Sequence, residues 1–431
     1  MVIVGIGTLA AKLVAMAKDM VVAAHFGTSD AMDAFLVALA LPTFITNVVA
    51  GSLPSALVPV YIRVREREGR DAARRLLSSV LAGAIAVVVV ASVLLVVFSP
   101  LLLRVIGSTF STEKLALAQH LFVFLVPLIL ISGLSTILSA VLNADERFVL
   151  GAATPVLIGL MPMLFVIAVG ERWGIRALST GLIVGYACEF LVLSTTVYRR
   201  GFIAMPTVRA LHPETKQVVR EYLPMVLGMV VMSATPLVDQ SMAAMLGPGS
   251  VSALTYGSKL VTAGLGIGVT ALSTALFPHF STMVAAGNWS SVQHTLRTYV
   301  RLTLLVAIPL VVVFWLFSDV LVRTLFQRGA FSGADTEIVA HVQALFAIQI
   351  PFYVLGIIGV RLLSATGGNR LLMWISIGNF VTNIVGNYVF MQFWGVAGIA
   401  LSTSLVYVIS SVVIYLGVRQ RINVHSGVRL T

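Results

Sequence analysis

Three lysines, Lys12, Lys18 and Lys259, lie inside apolar runs long enough to cross a bilayer. A cation near the bilayer centre costs roughly 2.5–3.5 kcal/mol on insertion scales, so such residues usually face an aqueous cavity or an anionic ligand. Lys12 and Lys18 are separated by roughly 120° around one predicted helix, so both can border a wide cavity. Asp19 adjoins Lys18 and can neutralise it when no ligand is bound, and Asp33 opens the second predicted helix. Lysine ammonium groups are compact point charges suited to phosphate. Cations from two halves of a chain facing one cleft can therefore bind a diphosphate. Lys12, Lys18, Asp19, Asp33 and Lys259 are the candidate substrate-binding residues. The competing reading has Lys12 snorkelling to the membrane surface and Lys259 paired with a carboxylate.

A second group suits a cation. Asp239 sits deep in the seventh predicted span, and Asn379, Asn383 and Asn387 recur every fourth residue along one helix face. Thr403 lies in the last span. One carboxylate with several neutral oxygens is the donor set of a Na⁺ site, making Asp239, Asn379, Asn383 and Thr403 its candidates. Hydrogen bonds between helices explain the asparagines equally well. Glu189 is a candidate proton carrier, though a plain helix contact accounts for it more simply. No cofactor is expected beyond a coupling Na⁺ or H⁺. No P-loop, Gly-rich strand–helix turn or Ser-His-Asp context is present, so no catalytic residue is assigned and the chain is not expected to be an enzyme. The single cysteine, Cys188, excludes a disulfide framework within the chain.

The elements that must position these residues follow from composition. The 431 residues are 58% hydrophobic and 10% charged. The apolar residues form long blocks with little amphipathic period, which marks membrane helices. Spans are predicted at about 2–24, 33–62, 76–106, 116–141, 151–170, 176–198, 222–246, 251–280, 296–326, 337–363, 370–391 and 396–418. The net charge of +11 does not signal nucleic acid. Most Lys and Arg fall on the even-numbered connections and the tail, which places both termini in the cytoplasm and the basic surface against anionic lipid.

The two halves resemble each other at an offset of about 220 residues. Pro59 matches Pro278, Ser99…Arg104 matches Ser318…Arg323, and Trp173-Gly174 matches Trp394-Gly395. Asp19 and Gly27 fall on Asp239 and Gly247. Ala177-Leu-Ser-Thr180 recurs as Ala400-Leu-Ser-Thr403, and Arg147 pairs with Arg370. Six spans per half make the repeat parallel. The expected architecture is an all-α polytopic membrane protein of about twelve helices, in two six-helix lobes around a central cavity. Residues 1–200 form the first lobe, 201–221 a cytoplasmic linker and 222–431 the second lobe.

The text at several positions resembles a known family. Lys18-Asp19, Phe26-Gly27, Asp33-Ala-Phe35, Leu41-Pro42 and Val58-Pro59 come first. Tyr256-Gly-Ser-Lys259-Leu260, Leu276-Phe-Pro278, Ala286-Gly-Asn288 and Leu325-Phe-Gln-Arg-Gly329-Ala-Phe331 follow. Together these are similar to the MurJ/MviN-type lipid II flippases of the multidrug/oligosaccharidyl-lipid/polysaccharide (MOP) exporter superfamily. The resemblance implies alternating access in the bacterial cytoplasmic (inner) membrane, moving a lipid-diphosphate-linked cell-wall precursor from inner to outer leaflet. It also implies a cationic cavity, with Lys18 and Lys259 where relatives usually carry arginines and Asp19 and Asp33 at matching acidic positions. Lys12 has no family counterpart. A further arginine expected in the second helix is absent, with Thr46 and Asn47 in that region, and the acid often preceding the basic residue of the eighth helix is Ser258. The partners implied are the lipid-linked substrate and membrane lipids, with no nucleic acid and the chain a monomer. The alternative function is an ion-coupled small-molecule or drug exporter of the same superfamily.

Overall fold

Helices form all the regular structure that the computed structural model describes, over residues 2–201 and 213–426, and no strand occurs among them. A bilayer leaves backbone groups no water to bond, and helices satisfy them within the segment. Contacts divide the chain into two units, Met1–Gly249 with Arg328–Phe331, and Ser250–Gln327 with Ser332–Thr431.

The first unit opens with α1 (Val2–Phe26). Next, α2 (Asp30–Ile45), a π-helical turn at Thr46–Ala50 and α3 (Leu53–Glu68) make one bent rod out of the second predicted span. The Ser29 hydroxyl accepts from the Met32 amide to start α2. Then come α4 (Arg70–Ile106), α5 (Thr112–Leu125), α6 (Pro127–Ala144), α7 (Phe148–Ala153), α8 (Val156–Trp173), α9 (Ile175–Arg199) and α10 (Thr215–Ala244). The core of this unit packs Leu57, Val60 and Tyr61 of α3 against Leu76, Leu77 and Val80 of α4, with Val218 of α10. α10 starts inside the predicted linker and packs on α2, α3 and α4. The compact units therefore divide after Gly249, later than the predicted boundary at 201–221.

The second unit holds α11 (Ser250–Ala285), α12 (Trp289–Leu316), α13 (Ser318–Phe326), α14 (Gly333–Ala347), α15 (Gln349–Ala365) and α16 (Asn369–Ser426). α16 is two arms meeting at Gly395, whose φ of 54° and ψ of −133° are not helical. Its core joins Phe280 of α11 and Val292 of α12 to Leu362 of α15 and Ile414 of α16. Among the described residues nine segments are long and apolar enough to cross a membrane. One of them, Asn369–Asn423, contains the Gly395 turn and counts as two. With α1 and α11 these give the twelve passes that the sequence predicts.

The repeat is written into the backbone. Gly174 (φ 54°, ψ −138°) and Gly395 adopt the same turn after their tryptophans. Ser111 and Ser332 cap α5 and α14. The breaks between α5 and α6 and between α14 and α15 fall at Val126 and Ile348, a matched pair of which only the first is followed by proline. Glu146 (φ 61°) and Gly367 (φ 74°) hold the same left-handed position after α6 and α15. Two of the predicted matches are out of register. Because the helices restart directly after the Trp-Gly turn, Ala177-Leu-Ser-Thr180 faces Gly398–Leu401 and not Ala400–Thr403. By the same spacing Arg147 corresponds to Gly368, and the Arg147/Arg370 match is a coincidence of composition.

Candidate functional site

In the first unit, α1 lies along α7 and α8 through small residues. Gly7 meets Ala152, Gly159 meets Val14 and Ala15, and Gly170 meets His25. A side chain at Gly159 or Gly170 would crowd the neighbouring helix, whereas one methyl at Gly7 would make an ordinary contact. This packing holds Lys18 part-buried, with its ammonium 2.8 Å from the Asp19 carboxylate. The adjacent acid thus neutralises Lys18 as the sequence suggests, and an incoming anion would have to compete with it. Lys12 is exposed on the same helix, near exposed Leu9 and Leu13.

Asp33 differs from expectation. It is wholly buried, and its Oδ2 accepts from Lys114 Nζ at 2.9 Å and from the Gly249 amide at 2.7 Å. Lys114 also donates to Asp30 at 2.5 Å and stands 4.2 Å from the centre of the Phe110 ring. Asp33 is thus the anchor of a buried charge cluster joining the starts of α2 and α5 to Gly249, not a group open to substrate. Lys114 lies between the third and fourth predicted spans and is not among the sequence-derived candidates. The available signal was its position three residues after the Ser111 cap, where the repeat has Asp335, the acid of a capping box.

The segment Arg328–Phe331 also joins the first unit. The Ala330 amide donates to the Ala24 carbonyl at 2.7 Å, at the end of α1. Gly329 (φ 56°) lies so close to the Ala24 backbone that a side chain has no room. Phe331 is buried. The Phe-Gln-x-Gly-x-Phe text is therefore a docking loop whose glycine is set by both φ and space.

In the second unit, Lys259 is half-buried on α11, where Thr262 donates back to the Ser258 and Lys259 carbonyls. The candidate cation donors serve the α16 hairpin. Asn379 Nδ2 donates to Ser410 Oγ at 3.0 Å, Asn387 Nδ2 to Asn383 Oδ1 at 3.4 Å, and Ser402 Oγ to the Asn383 carbonyl at 3.4 Å. Thr403 donates to its own helix at Ile399. The asparagine face thus pins two arms together, as small-residue membrane hairpins do. Asp239 is half-buried on α10 in the first unit. Glu189 is buried and accepts from the Thr154 hydroxyl.

Two side pockets occupy matched places in the repeat. The first, about 750 Å³, is lined by His120, Phe124, Arg172, Trp173, Arg176 and Thr180. The second, about 640 Å³, is lined by Asp319, Glu337, His341, Leu345, Trp394 and Leu401. Histidine and tryptophan recur in both, while the flanking charges reverse.

Apolar helices in passes, with lysines part-buried among them, define a polytopic all-α membrane protein. Its fold is that of a solved lipid II flippase MurJ in an inward closed conformation, with a TM-score of 0.85, 22% identity, and cover of 99% of this chain and 90% of that one. An inward-facing multidrug resistance MATE transporter of the MOP superfamily matches with a TM-score of 0.79 at 14% identity, over 97% of this chain and all of the other. The chain belongs to the lipid II flippase MurJ family, whose profile matches residues 22–430. The lipid II flippase MurJ of Burkholderia cenocepacia is 29% identical over 96% of this chain and 82% of its own length. The chain is accordingly a membrane transporter and not an enzyme.

Proposed function

We propose that this chain moves lipid II, or a similar lipid-diphosphate-linked glycan, from the inner to the outer leaflet by alternating access. Membership of the flippase family supports the substrate class. The observation that carries the mechanism is the Lys18–Asp19 pair at 2.8 Å. A part-buried lysine paired with its chain neighbour can exchange that carboxylate for a diphosphate and return to it on release. Lys259, half-buried on α11, is the second candidate cation, and Lys12, exposed on α1, attracts the anion without holding it. Asp33 serves the fold in this reading.

Both termini are cytoplasmic and the chain works as a monomer, the first from the distribution of basic loops. Coupling runs through Na⁺ or H⁺, with Asp239 and Glu189 the carboxylates within apolar spans that would carry it. The drug-exporter alternative has only fold likeness behind it, at 14% identity.

The test is flipping of a fluorescent lipid diphosphate in proteoliposomes. A charged hydrogen bond is worth about 1.5–3 kcal/mol, so Lys18→Gln and Lys259→Gln should each slow flipping by about tenfold or more. Rates equal to those of the unaltered protein would sink the cationic-cavity mechanism. Replacing Na⁺ by K⁺ in the same assay decides the coupling ion: unchanged flux excludes Na⁺ and leaves H⁺.

A further inference from the structure

The second unit carries a basic cavity that includes none of the candidate transport lysines. It measures about 330 Å³ and is lined by Arg297 and Arg301 of α12 and Arg419 of α16, with Gln293, Tyr415 and Asn423. Arg297 and Arg301 are one helical turn apart and share a face. None of the three arginines has an ion pair or hydrogen bond among the described residues. No carboxylate lines the cavity among the described residues.

A second cavity of about 200 Å³ adjoins it and shares Leu296, Val300 and Tyr415. Phe352, Leu355 and Val418 make this one apolar. The combined site is amphipathic, with a three-arginine mouth opening onto an apolar slot. At the repeat offset Arg297 and Arg301 fall on Ser78 and Ala82 of α4, next to the packed core that includes Val218 of α10. The arginines are therefore not remnants of the repeat, and nothing in the packing of α12 requires them.

We propose that α12 and the C-terminal arm of α16 bind an anionic membrane phospholipid. Its phosphate sits among Arg297, Arg301 and Arg419, and an acyl chain enters the slot beside Leu355. Arginine forks match phosphate oxygens, and three unpaired guanidinium groups favour an anion over a zwitterionic headgroup. The bound lipid holds the two helices at a fixed spacing. Free phosphate shares the headgroup chemistry but leaves the slot empty.

The experiment uses the full chain purified in a neutral detergent. Binding of dihexanoyl phosphatidylglycerol, dihexanoyl phosphatidylcholine and inorganic phosphate is measured by native mass spectrometry and by the shift in Tm. Phosphatidylglycerol should bind and raise Tm, with phosphatidylcholine and phosphate weaker by about tenfold or more. The double variant Arg297→Gln/Arg301→Gln should lose that preference by about tenfold or more, since each basic group near a membrane surface contributes several-fold. Arg297→Lys/Arg301→Lys should retain part of it. Arg172→Gln in the other unit, which controls for general surface charge, should leave it unchanged. Equal binding of phosphatidylglycerol by the Gln variant and the unaltered chain overturns the site. Phosphate matching phosphatidylglycerol overturns the acyl slot. Tyr415 and the arginines are exposed, so these variants are expected to fold.

Discussion

The two halves of the molecule share their backbone devices and differ in their charges. Ser111 and Ser332 cap matched helices, yet the third residue after the cap is Lys114 in one half and Asp335 in the other. Asp335 closes the capping box on its own helix. Lys114 instead reaches away from its helix to Asp30 and Asp33. The matched side pockets repeat the lesson, with Arg172 and Arg176 beside Trp173 but Asp319 and Glu337 beside Trp394. A repeat fixes where the chain turns, because turn geometry tolerates few residues. It leaves the charges free to diverge, because a side chain at the same place can serve a different partner.

The largest expected effect tests the cap positions. Lys114→Met leaves the buried Asp33 carboxylate without its cation and should cost about 3–5 kcal/mol in unfolding free energy. Asp335→Ala should cost only about 1 kcal/mol, the worth of one cap. Both can be read from denaturant titrations in the same detergent. Similar losses at the two positions would mean that the halves do not differ there.

The Trp-Gly turns supply the converse test. Gly174→Ala and Gly395→Ala force a side chain into a conformation that glycine almost alone adopts, costing about 1–3 kcal/mol each. The two losses should agree, since φ is 54° at both. A marked inequality in Tm would show that the turns are alike in shape but not in load.

The smallest effect lies at the left-handed position after α6 and α15. Glu146→Gly should stabilise the chain by up to about 1 kcal/mol, and Gly367→Ala should destabilise it by about as much. Opposite signs in a thermal-unfolding series would confirm one shared conformation with only one half relieved of its strain. Loss of stability in Glu146→Gly would instead assign the glutamate side chain a contact of its own.

The candidate residues were conspicuous in the sequence because charge inside an apolar run is rare. Lys18 with Asp19, the asparagine ladder and the docking loop around Gly329 all stand out in the text. Two predicted repeat matches, the Ala-Leu-Ser-Thr recurrence and the Arg147/Arg370 pair, failed for a physical reason. Short strings of small residues recur by composition, whereas helix ends at Ala144 and Ala365 and turns at Gly174 and Gly395 keep the true register. Lys114 was missed because a lysine between spans reads as a solvated loop residue until its partners are known.

The sequence by itself determined the all-α class, the number of passes, the half-chain repeat and the family, since hydrophobic length, turn residues and motif text are local properties of the chain. Only the tertiary structure decided that Asp33 is a buried anchor, that the asparagines pin a hairpin, that α10 packs with the first unit, and that three arginines line one cavity. Each of these depends on which side chains meet across helices, and in a membrane protein apolar runs of similar composition leave that choice to packing.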